Sequence, residues 1–371
     1  VTIRSLEGLR GAAALLVVFY HLNLAFHYLL GVDYPALFVA RNGYLAVDLF
    51  FVLSGFVINR AYRKTIDGSP ELFRFMIRRF GRIWPLHIAT TIILVIGTVT
   101  LGIDSIPAPS VSIALVTMTQ GFNLFSHNVG TRASWSAADE FYTYLLFGVL
   151  CLFLSSRKRQ SLFVLFAAVG YAIAIRSSVA NECLTHGHCF DLTFRYGWAR
   201  CIAGFFIGAL CSDRLPPSAA QRFSTAIFQI PVFTISVGLI VATSLIPWLA
   251  FAAPLIFLAL VVSLSEDAGP VARLFQLRAF QYLGKISYSL YLVHAMLTGF
   301  LVLFSPQLHS IRGPMLVGLI FIFMSILIAD VLSRCIEMPF RSIFRKVADR
   351  ASIKRPKSAA QNRRPSPAQE P

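Results

Sequence analysis

Stretches of about twenty consecutive apolar residues, the length that spans a bilayer, recur along almost the whole chain, and no other feature narrows its fold so far. A helix rises ~1.5 Å per residue, so ~20 residues cross a ~30 Å hydrocarbon layer. Segments 9–30, 43–60, 83–103, 137–154, 160–177, 195–212, 223–243, 247–265, 285–304 and 314–336 read as such spans. Inside a bilayer the backbone must satisfy its own hydrogen bonds, which selects helices. The prediction is an all-α, polytopic transmembrane helix bundle of about ten spans. Composition agrees: 56% of the 371 residues are hydrophobic and 13% are charged, where a soluble domain carries about 25% charged residues. Residues 111–125 are apolar but shorter, and Thr117, Thr119 and Gln120 interrupt them. They read as a re-entrant or interfacial helix, with an eleventh span as the alternative.

The formal net charge is +16. On a soluble chain that would point to nucleic acid. Here its placement points to topology, and no nucleic-acid partner is expected. With ten spans and the N-terminus inside, one set of loops holds most of the basic residues, from Arg4 and Arg10 through Arg74–Arg82 and Arg157–Arg159 to the C-terminal run. The other set holds only Arg41, Arg132, Arg176, Arg195, Arg200 and Arg312. Lys and Arg stay on the cytoplasmic side of a membrane, so both termini are expected there. Residues 8–30 lack a small-residue cleavage pattern, so no cleavable signal peptide is expected. The expected organisation is a membrane domain over 1–345 and a basic, proline-rich, disordered cytoplasmic tail over 346–371, solvated or touching anionic lipid headgroups.

Ionisable groups within the spans are costly in a bilayer and point to function. Arg10 and His21 lie eleven residues apart, close to three full turns, so both project from one face about 16 Å apart along the axis. A cation at the cytoplasmic mouth and an imidazole deep inside suit a tunnel for an anionic carrier; a histidine bonded to a neighbouring helix is the plainer reading. Arg78, Arg79 and Arg82 cluster at the inner end of the third span. Guanidinium groups bind phosphate bidentately, and positive-inside anchoring also accounts for them. Asp139 and Glu140 begin a helix at its outer end, where the helix dipole favours them. A carboxylate near His21, Glu140 or Asp48, would instead orient the ring. Gly43, Ser54 and Gly55 beside Asp48 read as small-residue packing contacts. His294 fits packing as well as catalysis.

Taken together, these stretches resemble the membrane acyltransferase 3 family. "IRSLEGLRGAAALLVVFYH" is similar to its first helix, with Arg10 and His21 at the family's spacing, and "GYLAVDLFFVLSGFVI" to its second. "RRFGRIWP" contains its Arg-x-x-Arg at Arg79 and Arg82. "WSAADEFYTYLLF" matches its Trp-Ser-Leu-x-x-Glu-Phe run at Trp135, Ser136 and Glu140, with Ala137 for leucine and Asp139 as an added charge. "LGKISYSLYLVH" matches a late-helix signature at Gly284, Ser287, Tyr288, Tyr291 and His294. The resemblance covers roughly residues 3–340 and looks like the stand-alone form. It implies a multi-pass enzyme of a bacterial inner membrane that moves an acyl group, most often acetyl, from cytoplasmic acyl-CoA to a hydroxyl of a carbohydrate or lipid-linked acceptor. It also implies no metal and no permanently bound cofactor. The expected catalytic residues are His21, as base or acyl carrier, with Glu140 or Asp48. Arg10, Arg78, Arg79 and Arg82 are expected to hold the acyl-CoA phosphates, and Trp135, Ser136, Tyr288 and His294 to contact substrate. The rival is a proton-coupled transporter or exporter, against which no internal repeat is found.

Cys183 and Cys189 flank His186 and His188 in an outer loop. Their spacing admits a disulfide, two free thiols or a metal site. Cys151, Cys201, Cys211 and Cys335 read as small buried hydrophobes.

Overall fold

The structure is a computed structural model, and it describes residues 3–30, 40–304 and 313–353. All regular structure among them is helical. In chain order the α-helices are α1 (Arg4–Leu30), α2 (Ala46–Tyr62), α3 (Ser69–Thr100), α4 (Pro109–Thr117), α5 (Ser134–Phe153), α6 (Ser156–Ala180), α7 (Cys183–His186) and α8 (Gly197–Arg214). They continue as α9 (Pro217–Phe223), α10 (Ala226–Ala242), α11 (Ala253–Leu264), α12 (Pro270–Phe275), α13 (Arg278–Lys285), α14 (Ser287–Thr298), α15 (Gly313–Leu332) and α16 (Met338–Ile353).

Among the described residues seven helices are long and apolar enough to cross a membrane: α1, α2 with the turn before it, α3, α5, α6, α11 with the turn before it, and α15 continuing into α16. The pair α9–α10, bent by 69°, raises the number to eight. Two segments expected to span fall short for visible reasons. The segment at 195–212 becomes α8, which has 18 residues but carries three charges, Arg200, Asp213 and Arg214, and packs beside α2 and α6. The segment at 285–304 breaks: α13 ends at Lys285, α14 has 12 residues, and a 3₁₀ turn covers Leu301–Phe304. Helix α4, within the apolar stretch 111–125, has nine residues, about 14 Å of rise. Its last carbonyls, which no helical N–H reaches, accept from His87 Nε2 (Leu115 O, 2.9 Å), Trp84 Nε1 (Val116 O, 2.9 Å) and Tyr142 Oη (Thr117 O, 2.8 Å).

Glycine lets α2 and α8 approach until backbones touch. A Cβ on Gly55 would sit 1.8 Å from the Phe205 carbonyl oxygen, and one on Gly208 would sit 2.1 Å from that of Val52. This is the small-residue packing of membrane helices. Across the same interface Arg200 donates Nε to Asp48 Oδ1 and Nη2 to Asp48 Oδ2, both at 2.7 Å. Its remaining N–H groups reach the Tyr44 and Leu192 carbonyls at 2.8 and 3.2 Å. Both side chains are 0% exposed. Arg200 is therefore a buried helix residue, not an outer-loop cation, and Arg312 lies outside the described residues.

Cys183 and Cys189 form a disulfide. Cys151 and Cys201 are buried as expected, whereas Cys211 is half-buried and Cys335 is exposed. Helix α16 runs through Ile353, eight residues into the segment expected to be disordered. Its apolar face explains this, since Ala348 is fully buried and Phe344 packs on Phe80 at a ring separation of 5.5 Å. Residues 354–371 lie outside the described residues.

Candidate active site

A cavity of about 400 Å³ opens among α1, α2, α3, α5, α13, α14 and the start of α16. Helix α2 lines it with Val47, Phe51, Ser54, Ile58 and Ala61, a stripe at three- and four-residue spacing. From Val47 to Ala61 that stripe rises about 21 Å, so the cavity is long and narrow.

Five cations line it: Arg10, Arg79, Arg82, Lys285 and Arg341. Arg79 lies near the rings of Tyr62, Tyr144 and Phe75, with its guanidinium carbon 5.4, 5.8 and 5.9 Å from their centroids. Arg78 does not line this cavity. Adjacent helical residues point about 100° apart, and Arg78 instead pairs with Asp349 at 2.6 Å and lines a second cavity of about 200 Å³ beside Arg74 and Glu71. Three carboxylates, Glu7, Glu140 and Glu337, share the main cavity. Tyr144 Oη donates to Glu140 Oε1 at 2.5 Å. With that proton committed, Ser54 Oγ is the donor in its 2.8 Å contact with Tyr144 Oη.

The end of the cavity remote from the exposed Ala61, Lys285 and Arg341 is closed by side chains of which Ser136 and Tyr291 are buried. Phe50, Ser136 and Tyr291 line it there. Ser136 Oγ gives its one proton to the Ala133 carbonyl at 3.0 Å, so Tyr291 Oη donates to Ser136 Oγ at 2.6 Å. Phe50 meets the Tyr291 ring edge-on, centroids 5.7 Å apart. His294, one turn beyond Tyr291 on α14, and His21 are not among the lining residues. Tyr291 reaches this pair through its ring, whose centroid lies 5.8 Å from that of His294.

His21 and His294 are hydrogen-bonded, Nδ1 to Nε2 at 3.2 Å. Their tautomers follow from their carbonyl partners, which only accept. His294 Nδ1 faces Leu290 O at 2.9 Å, so it carries the proton and Nε2 keeps its lone pair. His21 Nδ1 faces Val17 O at 3.1 Å as well as that lone pair, so it too is protonated. His21 Nε2 is then left basic.

The expected residues thus separate. Arg10, Arg79, Arg82, Glu140, Ser136 and Tyr288 line the cavity, with Tyr288 Oη bonded to Ile83 O at 2.7 Å. His21 and His294 sit together behind it. Neither expected carboxylate touches His21: Asp48 is spent on Arg200, and Glu140 on Tyr144. Trp135 is 3% exposed and packs on Phe51 in the core. Asp139 turns away from Glu140 and is buried with neither oxygen hydrogen-bonded. Glu337 reads from sequence as an ionisable group within a span, with no role attached; Lys285 and Arg341 are missed as site residues, because inner-end basic residues so commonly serve topology. The signal that could have found Arg341 is its i,i+4 spacing from Glu337. Among the described residues no three His, Cys, Asp or Glu side chains gather as metal ligands.

Residues 3–334 match the family model described as an acyltransferase domain. The chain is 26% identical over 370 residues to a Staphylococcus aureus (strain COL) protein named "Putative O-acetyltransferase SACOL0978", covering 91% of this chain and 57% of that protein. It is 25% identical over 370 residues to the peptidoglycan O-acetyltransferase OatA of Listeria monocytogenes serovar 1/2a, covering 91% of this chain and 55% of that one. A shorter match, 38% over 105 residues, is to Protein 2 in picA locus of Rhizobium radiobacter, covering 28% of this chain and 50% of that one. The chain therefore spans a little over half the length of the full-length matches. No solved structure matches.

Proposed function

Since the chain belongs to the acyltransferase domain family, we propose that it is a membrane O-acyltransferase that moves an acyl group, acetyl in the first instance, from cytoplasmic acyl-CoA to a hydroxyl of a carbohydrate or lipid-linked acceptor. The names of its relatives support acetyl and make a cell-wall sugar a reasonable acceptor. The Lys/Arg asymmetry supports about ten crossings of a bacterial inner membrane, with both termini and the cavity mouth cytoplasmic. Family membership favours this enzyme over the carrier reading.

The observation that carries the proposal is the pairing of a cation-lined cavity with a basic nitrogen behind its closed end. Arg10, Arg79 and Arg82 take the phosphates of the donor, and its pantetheine arm lies along the α2 stripe. The Tyr291–Ser136 contact parts to admit the thioester. His21 Nε2 removes the proton of the acceptor hydroxyl, whose oxygen attacks the thioester carbon. The carbon–sulfur bond breaks, the ester forms, and the proton on His21 passes to the departing thiolate. His294 holds the His21 tautomer. In the covalent variant His21 Nε2 carries the acyl group first.

The test uses protein in nanodiscs with radiolabelled acetyl-CoA, following CoA release and protein-bound label. Wild type should bind and release CoA, Arg82→Ala should lose binding, and His21→Ala should bind without turnover. A label lost with His21 selects the covalent route. Failure of wild type to bind acetyl-CoA or longer acyl-CoAs would overturn the proposal.

A further inference from the structure

The last long helix does not continue as a plain α-helix. Ser333–Glu337 forms a π-turn between α15 and α16. Pro339 has no N–H to give to the carbonyl four residues earlier, which is a sufficient local cause. A π-turn holds one extra residue, so side chains beyond it are rotated by about 100° from a continuous α-helical path. The result puts two charges, Glu337 and Arg341, on the cavity. Glu337 is 5% exposed and its Oε2 accepts from Ser289 Oγ at 2.7 Å. Arg341 stands exposed at the mouth. Helix α16 is fixed there by Phe344 against Gly81 and by the Arg78–Asp349 pair.

The charges do not balance. Among the described residues the lining has five cations and three carboxylates, an excess of two positive charges. Among the described residues none of the five cations makes an ion pair, although Arg74 and Arg78 next door pair with Glu71 and Asp349. Arg79 Nε is buried without a hydrogen-bond partner. Cations gathered round one cavity and left unpaired repel one another, and a bound anion relieves that repulsion.

We infer that Arg341, delivered by the π-turn, is a fourth arginine of the anion site and, with Lys285, binds the phosphate groups of the donor at the cavity mouth. This rests on the donor reading above. It adds that the site is built for a polyphosphate, a charge of at least two, and that the C-terminal helix completes it.

The test compares Arg341→Gln, Arg341→Lys and Arg345→Gln with wild type in nanodiscs. Arg345 is an exposed arginine one turn further along α16 that does not line the cavity. Two donors are used: acetyl-CoA, and S-acetyl-N-acetylcysteamine, which has no phosphate. Arg341→Gln should raise KM for acetyl-CoA about tenfold or more with kcat little changed, the loss expected for one charge-assisted hydrogen bond. Arg341→Lys should recover part of it. Arg345→Gln should stay near wild type, and the phosphate-free donor should not distinguish the variants. An unchanged KM, an equal rise in Arg345→Gln, or an equal rise with both donors overturns the inference. If wild type uses neither thioester, the donor reading has failed, and calorimetric binding of inorganic pyrophosphate decides. Weaker binding by Arg341→Gln than by wild type sustains the anion site; equal binding, or none to wild type, overturns it.

Discussion

At the residue scale, Asp48 and His21 show what single positions reveal and conceal. The in-phase spacing of Arg10 and His21 was readable, because helical periodicity is a property of one segment. The partner of His21 was not, because it depends on which helices meet. Two carboxylates were available by type, yet packing gave His21 a second imidazole. Asp48 serves stability. Breaking a fully buried ion pair by removing one partner costs about 3–5 kcal/mol, so Asp48→Ala should lower the unfolding midpoint in detergent sharply, and Glu140→Gln should not. Equal midpoints for Asp48→Ala and wild type would contradict that role. A general base contributes about 10²- to 10⁴-fold in rate, so His21→Ala should lose that much in kcat. His294→Ala should lose less, with KM for the donor unchanged in both. A larger loss from His294→Ala would move the reactive nitrogen to that ring.

At the scale of elements, composition located most helices and misjudged where they stop. Lys285 and Ser287–Thr298 read as parts of one span because hydropathy does not register the break at Ile286. The end of α16 read as a tail because its basic residues hide an apolar stripe that only a docking partner makes visible. Gly81 is that partner's opening: a Cβ there would lie 2.3 Å from Phe344 Cβ. Gly81→Ala should push α16 outward and raise KM for acetyl-CoA, and adding Phe344→Gly, which removes the opposing Cβ, should restore it. Should the single variant bind donor like wild type, the placement of α16 would not matter to binding.

At the scale of the molecule, the basic asymmetry of the loops gave an orientation that can be checked directly. A membrane-impermeant maleimide added to spheroplasts should label Ser126→Cys, an exposed position in the outer segment that also holds Arg132. Wild type, whose Cys183 and Cys189 are buried and joined in a disulfide, should take no label from that side. Labelling only in inverted vesicles would reverse the topology. The overall plan was legible because membrane insertion is written in runs of residues; the closed cavity was not, because it is made by side chains from seven separate helices.

The contact between Tyr291, Ser136 and Phe50 has an electrical meaning as well. A membrane voltage is worth about 2.3 kcal/mol per charge per 100 mV. In the proposed orientation, electrolyte in the cavity carries the cytoplasmic potential along the α2 stripe as far as these three side chains. The voltage then falls over the short remainder of the protein, where the field is steeper than across intact lipid. An energised membrane pierced by a wet cavity discharges unless one end stays shut, so these side chains insulate the membrane as well as the reaction.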